Sequence, residues 1–280
     1  MKPSSALVAA PRAGFAAGRN EIMCERSASA VLPADPLMDF EIVRVGPSES
    51  IREEHAKESA WVLIDGAAEI LADKRSHLVE RHSLFDEAPT ALHVGPGTQI
   101  AIRAGAEGVE FAVVRTSNDR SFAPLLLRPA DLNPEYRGAG LVQGACLRNV
   151  RLIFDRSTRP ESNLVLGEVV NYPGRWSSYP PHHHDQPEIY HYRFTRPEGY
   201  GHAELGDDVL KVRNGDTVLI PPGLDHAQVS APGYGMYYLW MIRHLPGNPY
   251  TGFTFAEEHK WTLDPSQQGW MPPDLLPQTP

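Results

Sequence analysis

Short apolar segments separated by glycine- and proline-containing turns recur along almost the whole chain of 280 residues. They include residues 61–64 and 99–103 in the first half, and residues 188–194 and 236–242 in the second. Strand-length segments at this spacing, with 23 glycines and 26 prolines to supply turns, are typical of a β-sandwich or β-barrel. Only residues 50–59 show a helical pattern. The sequence therefore predicts an all-β protein.

Charge and cysteine content exclude several classes of protein. The net charge is −9 and no basic run is present, which argues against nucleic acid as the main partner. No apolar stretch approaches the ~20 residues that a membrane span needs. Cys24 and Cys146 are the only cysteines, too few for a disulfide framework or a cysteine zinc cluster, and this fits a cytoplasmic location.

The two ends of the chain differ in composition from the rest. Residues 1–37 are rich in Ala, Ser, Pro and Arg without periodicity, and we expect a disordered leader there. Residues 265–280 are rich in proline and are expected to form an extended tail.

A faint internal repeat divides the middle of the chain. Residues 94–97 (Val-Gly-Pro-Gly) resemble residues 220–223 (Ile-Pro-Pro-Gly), and each segment follows a strand-rich stretch. So long a period indicates two copies of a whole domain, which we place at residues 38–130 and 131–264. Unrelated hairpins with similar turn chemistry are the alternative.

A histidine cluster is the most informative motif. Side chains at i and i+2 of a strand share a face, so His182 and His184 point the same way and His183 the opposite way. Glu188 opens the next strand and can fold back beside them. Two imidazoles and one carboxylate suit a divalent transition metal.

A second motif supplies a fourth ligand. Gly215 permits the turn before a strand, Pro221 ends that strand and Gly223 relieves the next bend. His226 then stands where a following strand begins. A solvated loop could also carry three histidines, but both motifs together, in this order, predict a metal site.

The two motifs resemble those of the cupin superfamily, whose first motif has the form His-X-His followed by a glutamate, and whose second contains Gly, Pro, Gly and His. The matching residues are His182, His184, Glu188, Gly215, Pro221, Gly223 and His226. The resemblance implies two cupin barrels (a double-stranded β-helix, or jelly roll), hence a bicupin, with His182, His184, Glu188 and His226 as metal ligands. The first barrel is expected to lack a metal, because Ile100 stands where the ligand histidine would fall and no His-X-His precedes it.

A closer resemblance, to the 5-deoxy-glucuronate isomerase family of inositol catabolism, covers most of residues 38–264. The segments that carry it are residues 61–63, 83–85, 91–97, 166–170, 173–182, 213–219 and 232–239. It implies conversion of 5-deoxy-glucuronate to 2-deoxy-5-keto-gluconate with one divalent metal, with zinc expected and manganese or iron as alternatives. His183 departs from the lysine that is usual in the family, and the short loop before Glu188 is closer to the sister family that isomerises 5-keto-4-deoxyuronate.

Such an isomerisation needs a Lewis acid, a base and a clamp for the substrate carboxylate. Alternation from Glu188 turns Tyr190 toward the metal, where it could donate a hydrogen bond or shuttle a proton, unless it only packs the barrel. Arg175 lies just before the ligand strand and is the predicted clamp, with a solvated arginine as the alternative. We therefore predict Glu188, Tyr190 and Arg175 as catalytic residues. The base is left unassigned.

Two other classes of function remain open. The same three histidines and one glutamate can hold Fe(II), so another metal cupin, either a related uronate isomerase or a dioxygenase, is the main alternative. A ligand-binding or regulatory cupin is the other, although no DNA-binding helix pair is visible. A small sugar acid is the expected partner, and the protein could form a homo-oligomer.

Overall fold

The structure, a computed structural model, describes residues 6–25 and 32–272. Strands dominate these residues, and helix is limited to short 3-10 segments such as Pro129–Asp131, Val142–Gly144 and Glu257–Leu263. The strands of the first half are β1 (Leu7–Val8), β2 (Gly18–Met23), β3 (Asp39–Val45), β4 (Ser50–Glu54), β5 (Glu58–Ala72), β6 (Arg75–Arg81), β7 (Ala91–Val94), β8 (Gln99–Thr116) and β9 (Leu125–Leu127). Those of the second half are β10 (Glu135–Arg137), β11 (Arg148–Phe154), β12 (Leu164–Asn171), β13 (Trp176–His183), β14 (Glu188–Phe194), β15 (Tyr200–Leu205), β16 (Asp208–Arg213), β17 (Thr217–Ile220), β18 (His226–Ser230), β19 (Met236–Arg243) and β20 (Thr254–Phe255).

The strands pair in antiparallel sheets that divide the chain into two barrels. The first barrel has the order β2-β3-β8-β5-β7-β9, with β4 on β8 and β6 on β5. The second contains one sheet of order β1-β17-β14-β19-β12-β11-β10 and another of order β16-β15-β18-β13-β20. Apart from β1, the change from one barrel to the other falls between Leu127 and Glu135.

Strands between the barrels are buried on both faces. In β5, Trp61 and Leu63 pack inside the first barrel, whereas Ala60 and Val62 pack in an apolar cluster shared with the second. Since successive side chains of a strand point to opposite faces, both faces must be apolar here. This explains why the strand segments read as continuous apolar runs.

The interiors of the two barrels differ in chemistry. Trp61 and Phe111 pack edge to face in the first barrel with Ile100 beside them in the same apolar cluster. The second barrel instead holds tyrosines, among them Tyr190 and Tyr238. The polar interior needed for a site therefore exists in the second barrel.

The leader expected to be disordered is ordered over residues 6–25. Leu7 and Val8 pair with β17 of the second barrel, and β2 pairs with β3 of the first. Phe15 is 7% exposed and packs in the cluster between the barrels. Sheet-edge hydrogen bonds and the burial of Phe15 stabilise this segment, although its composition shows no periodicity. Residues 1–5 and 26–31 of the predicted leader, and 273–280 of the predicted tail, lie outside the described residues.

The helical prediction for residues 50–59 is wrong. Ser50–Glu54 form β4, which pairs with β8, and residues 58–59 begin β5. The exposed side chains of β4 alternate with half-buried ones on the barrel surface, so strand pairing outweighs a weak local propensity. Within the described residues, no helix is long and apolar enough to cross a membrane.

Candidate active site

A hairpin and a neighbouring strand bring the predicted ligands together. β13 ends with His182 and His183, His184 follows directly, and Glu188 opens β14 after a short turn. His226 begins β18 directly opposite His182 in the strand register. In the preceding turn Gly223 has a φ of 74°, and its N–H donates to the carbonyl of His184 at 2.8 Å. This bond fixes the His226 loop against the hairpin.

His184, Glu188 and His226 form a buried group whose ligand atoms all lie within 4.8 Å of one another. The Nε2 atoms of His184 and His226 are each 3.2 Å from Oε2 of Glu188. Nδ1 of His184 is buried and makes no hydrogen bond to the described residues, and the buried Nε2 of His226 lies at ion-pair distance from Glu188 without hydrogen-bond geometry. Buried polar atoms without partners are uncommon, and this donor set fits a divalent transition metal.

His182 lies beside this group but outside its 4.8 Å limit. Its ring centre is 4.4 Å from that of His226. Its Nδ1 is 3.2 Å from the carbonyl oxygen of Ser178 and 3.4 Å from that of Pro180. A proton on Nδ1 shared with these carbonyls leaves the lone pair of Nε2 for a metal. The structure thus brings three of the four predicted ligands together and places the fourth next to them.

Glu188 and the neighbouring His182 have shifted pKa values that suit metal binding. Burial by itself would raise the pKa of Glu188, but its close interactions with His184 and His226 outweigh this effect and lower that pKa to about 2. Burial, reinforced by His226, lowers the pKa of His182 to about 3. At neutral pH the site therefore offers a carboxylate and a neutral imidazole.

His183 faces away from the group, as predicted. Its Nδ1 is 2.7 Å from Oδ1 of Asp225, and the two side chains are 38% and 40% exposed. The alternation of the strand thus separates it from its neighbours His182 and His184.

Tyr190 lies next to the ligands inside the barrel. Its ring centre is 5.9 Å from that of His226 and 4.7 Å from that of Tyr238, on which it stacks. Its hydroxyl is 3.2 Å from Oγ of Ser178. Burial, together with the charge of Glu188, raises the pKa of Tyr190 well above its usual value. The Tyr190 hydroxyl is therefore protonated at neutral pH and can donate a hydrogen bond.

A cavity of about 520 Å³ opens beside these residues. Its apolar wall includes Trp240, Tyr250 and Phe253. The Trp240 ring lies so close to Gly167 that a Cβ at that position would come within 2.2 Å of it. A side chain at this position would displace the ring. The volume lies in the range of small-molecule sites.

Arg175, the predicted carboxylate clamp, does not line this cavity. Its Nη1 donates to the carbonyl of Gly144 at 2.7 Å, and it faces a separate surface pocket. Arg175 lies just before β13, whereas the ligands lie at the other end of that strand. Proximity in sequence therefore did not place it in the site.

Three arginines that sequence reasoning missed line the cavity instead: Arg137, Arg148 and Arg156. Arg148 shares one face of β11 with Val150 and Leu152, which line the cavity as well. An arginine in phase with the apolar residues of a strand was the available signal.

The histidines of the first barrel form no comparable group in the described residues. Ile100 is buried in the apolar interior. His93 is also buried, with Nε2 2.7 Å from Glu58 and Nδ1 accepting from Nε of Arg159 at 2.9 Å. It is a structural histidine of the core.

Two β-barrels, of which the second has a His/Glu group facing its interior cavity, define a bicupin, and the predicted fold is confirmed. The chain belongs to the KduI/IolB family, whose model matches residues 8–262.

Curated relatives and solved structures agree with this assignment. The 5-deoxy-glucuronate isomerase of Geobacillus kaustophilus is 28% identical over 245 residues, which cover 80% of this chain and 85% of the relative. An IolB-like protein from Salmonella typhimurium matches with a TM-score of 0.79 at 24% identity, over 92% of this chain and 99% of that one. The oxalate decarboxylase of Lactobacillus farciminis matches with a TM-score of 0.63 at 14% identity, over 87% and 86% of the two chains, and shares the fold.

Proposed function

We propose that this protein is a sugar-acid isomerase that converts 5-deoxy-glucuronate to 2-deoxy-5-keto-gluconate in inositol catabolism. The observation that carries the proposal is the buried group of His184, Glu188 and His226 beside a cavity that fits a monosaccharide acid. The similarity of this chain to relatives named 5-deoxy-glucuronate isomerase supports the choice of substrate.

The proposed metal ligands are His182, His184, Glu188 and His226. The unpartnered ring nitrogens of His184 and His226 and the ionised Glu188 support this assignment. A divalent ion bound here would supply Lewis acidity to a carbonyl or hydroxyl oxygen of the substrate. Nitrogen and oxygen donors suit zinc, which we propose as the metal, with manganese or iron as alternatives.

The reaction moves one proton between neighbouring carbons. A C–H proton leaves the carbon that bears a hydroxyl, the electron pair forms an enediol, and a proton returns to the former aldehyde carbon, so no oxidant is consumed. Protonated Tyr190, next to His226, would donate a hydrogen bond to a substrate oxygen. The ionised Glu188 would keep negative charge at the ligand group. The wall formed by Trp240 and Phe253 would exclude water from the enediol.

Incubation of the purified protein with 5-deoxy-glucuronate in D2O, followed by proton NMR, tests the proposal. We expect loss of the aldehyde-derived anomeric signal, growth of the keto product and deuterium at the new CH2OH carbon. Turnover of 5-keto-4-deoxyuronate alone would assign the sister activity. Oxygen uptake by iron-loaded protein without isomerisation would instead identify a dioxygenase.

A further inference from the structure

Two arginines face each other in the wall of the cavity. Arg137 of β10 and Arg148 of β11 are directly opposite in the strand register, and both line the cavity. Directly opposite residues on one face have Cβ atoms roughly 5 Å apart, and like charges at such positions are destabilising. Arginine stays charged at any pH at which proteins fold, so the repulsion is permanent.

Protein carboxylates do not neutralise this pair within the cavity. Among the described residues no carboxylate lies within salt-bridge distance of Arg148, whose Nη1 donates to the carbonyl of Cys146 at 2.9 Å. Arg137 pairs with Glu135 through Nε at 2.8 Å, on the exposed surface, where such a pair contributes little. Burial lowers the pKa of Arg148, and the charge of Arg137 lowers it further. A half-buried guanidinium group therefore lacks a counterion.

Nearby acidic and basic residues do not change this balance. Asp155 also lines the cavity, but its Oδ1 accepts from the Ser157 amide in its own turn at 2.9 Å, and among the described residues it forms no salt bridge with Arg137 or Arg148. Arg156 adds a third guanidinium group to the same wall. Positive charge thus lies on the β10–β11 side of the cavity. The ligand group lies on another side, at the end of β13 and the starts of β14 and β18.

We propose that Arg148 and Arg137 form an anion subsite that binds the carboxylate of the substrate, so that the opposite end of the substrate meets the His/Glu group. This inference rests on the proposed function. β14 and β11 are three strand spacings apart, roughly 14 Å between backbones, and long arginine side chains shorten that span. In a uronate aldehyde, the carboxylate and the reacting carbonyl stand at opposite ends of a six-carbon chain. A guanidinium group binds a carboxylate through two parallel hydrogen bonds, which also orients it.

Calorimetric binding of D-glucuronate and of D-glucuronamide tests the subsite, because the two differ only in the terminal group, a carboxylate in one and an uncharged amide in the other. We expect the native protein to prefer glucuronate by about 10–100-fold, as for hydrogen bonds to a charged group. Arg148→Met should bring this ratio close to one, and Arg148→Lys should retain part of it. Arg175→Met is the matched control, because Arg175 lies outside the cavity, and it should leave the ratio unchanged.

An unchanged preference in Arg148→Met would overturn the proposal. So would a preference that disappears when the metal is chelated but survives in Arg148→Met, because the carboxylate would then bind the metal. Arg137→Met removes the more exposed arginine of the pair and should also lower the preference for glucuronate. This second variant decides the test if Arg148→Met fails to fold. If 5-deoxy-glucuronate is not isomerised but Arg148→Met still abolishes the preference, the proposed function fails and the subsite stands.

Discussion

Arg81 of the first barrel and Glu168 of the second form a buried two-point ion pair. Nη2 of Arg81 is 2.7 Å from Oε1 of Glu168, and Nη1 is 3.1 Å from Oε2. Glu168 also accepts from Nη1 of Arg151 and from the hydroxyl of Tyr237, each at 2.9 Å. One carboxylate therefore connects strands of both barrels, in a region where water cannot replace a missing partner.

Removal of Arg81 should destabilise the protein strongly. Arg81→Met breaks a buried pair and leaves Glu168 with only one of its two arginine partners, Arg151, so we expect the free energy of unfolding to fall by up to about 5 kcal/mol. Urea denaturation measures it. The matched control is Lys260→Met, which breaks the exposed Lys260–Glu257 pair and should cost less than about 1 kcal/mol. Equal effects of the two substitutions would contradict the structural role of Arg81.

Metal content should depend on His226 and not on His183. We expect one metal ion per chain, bound in the second barrel, because the described residues contain a single such His/Glu group. His226→Ala removes a member of the group and should lose metal in elemental analysis. His183→Ala should keep it, because that side chain pairs with Asp225 outside the group. Full metal content in His226→Ala, or equal loss in His183→Ala, would show that the ligand assignment is wrong.

Glu188→Gln should impair catalysis while the fold persists. The substitution keeps the shape of the side chain but removes a negative charge from the ligand group. Changes at metal sites commonly cost ~10–100-fold in metal affinity or activity, and we expect a loss of turnover of that size. The NMR assay measures turnover, and circular dichroism checks the fold. Chelation should abolish turnover and added zinc should restore it. Full activity after complete metal removal would show that the metal has no catalytic role.

Acid should destabilise the protein partly through His191. This side chain is buried between the barrels, where Nδ1 is 2.9 Å from Oγ1 of Thr217 and Nε2 accepts from Nε of Arg193 at 3.1 Å. Burial, and then the charge of Arg193, lower the pKa of His191 well below the usual 6.5. Below pH 6.5 the unfolded chain therefore binds more protons at this residue than the folded protein does. The stability that His191 contributes above pH 6.5 is lost as the pH falls.

The substitution His191→Gln tests this dependence. Glutamine keeps a polar side chain that does not titrate, so the fall in unfolding free energy between pH 7 and pH 5 should be smaller than in the native protein. Urea midpoints across that range measure the slope. An identical slope in the two proteins would mean that His191 does not contribute to acid sensitivity.

Local spacing in the sequence was enough to find most of the ligand group. Alternation along β13 separated His183 from His182 and His184, and the turn around Gly223 marked the entry of His226. The distance between His182 and the group of His184, Glu188 and His226 could not be predicted from spacing, because it depends on how β13 pairs with β18.

The sequence by itself determined the all-β class, through the spacing of its strands and turns, and it indicated two barrels through the internal repeat and the cupin resemblance. Only the tertiary structure decided which arginines face the cavity. Arg175 is close in sequence to the ligand strand but at its far end, whereas Arg137 and Arg148 arrive through β10 and β11 at the edge of the sheet. Likewise, Phe15 is ordered because it fills space between the barrels. Sheet closure brings distant segments together, and no local pattern records that pairing.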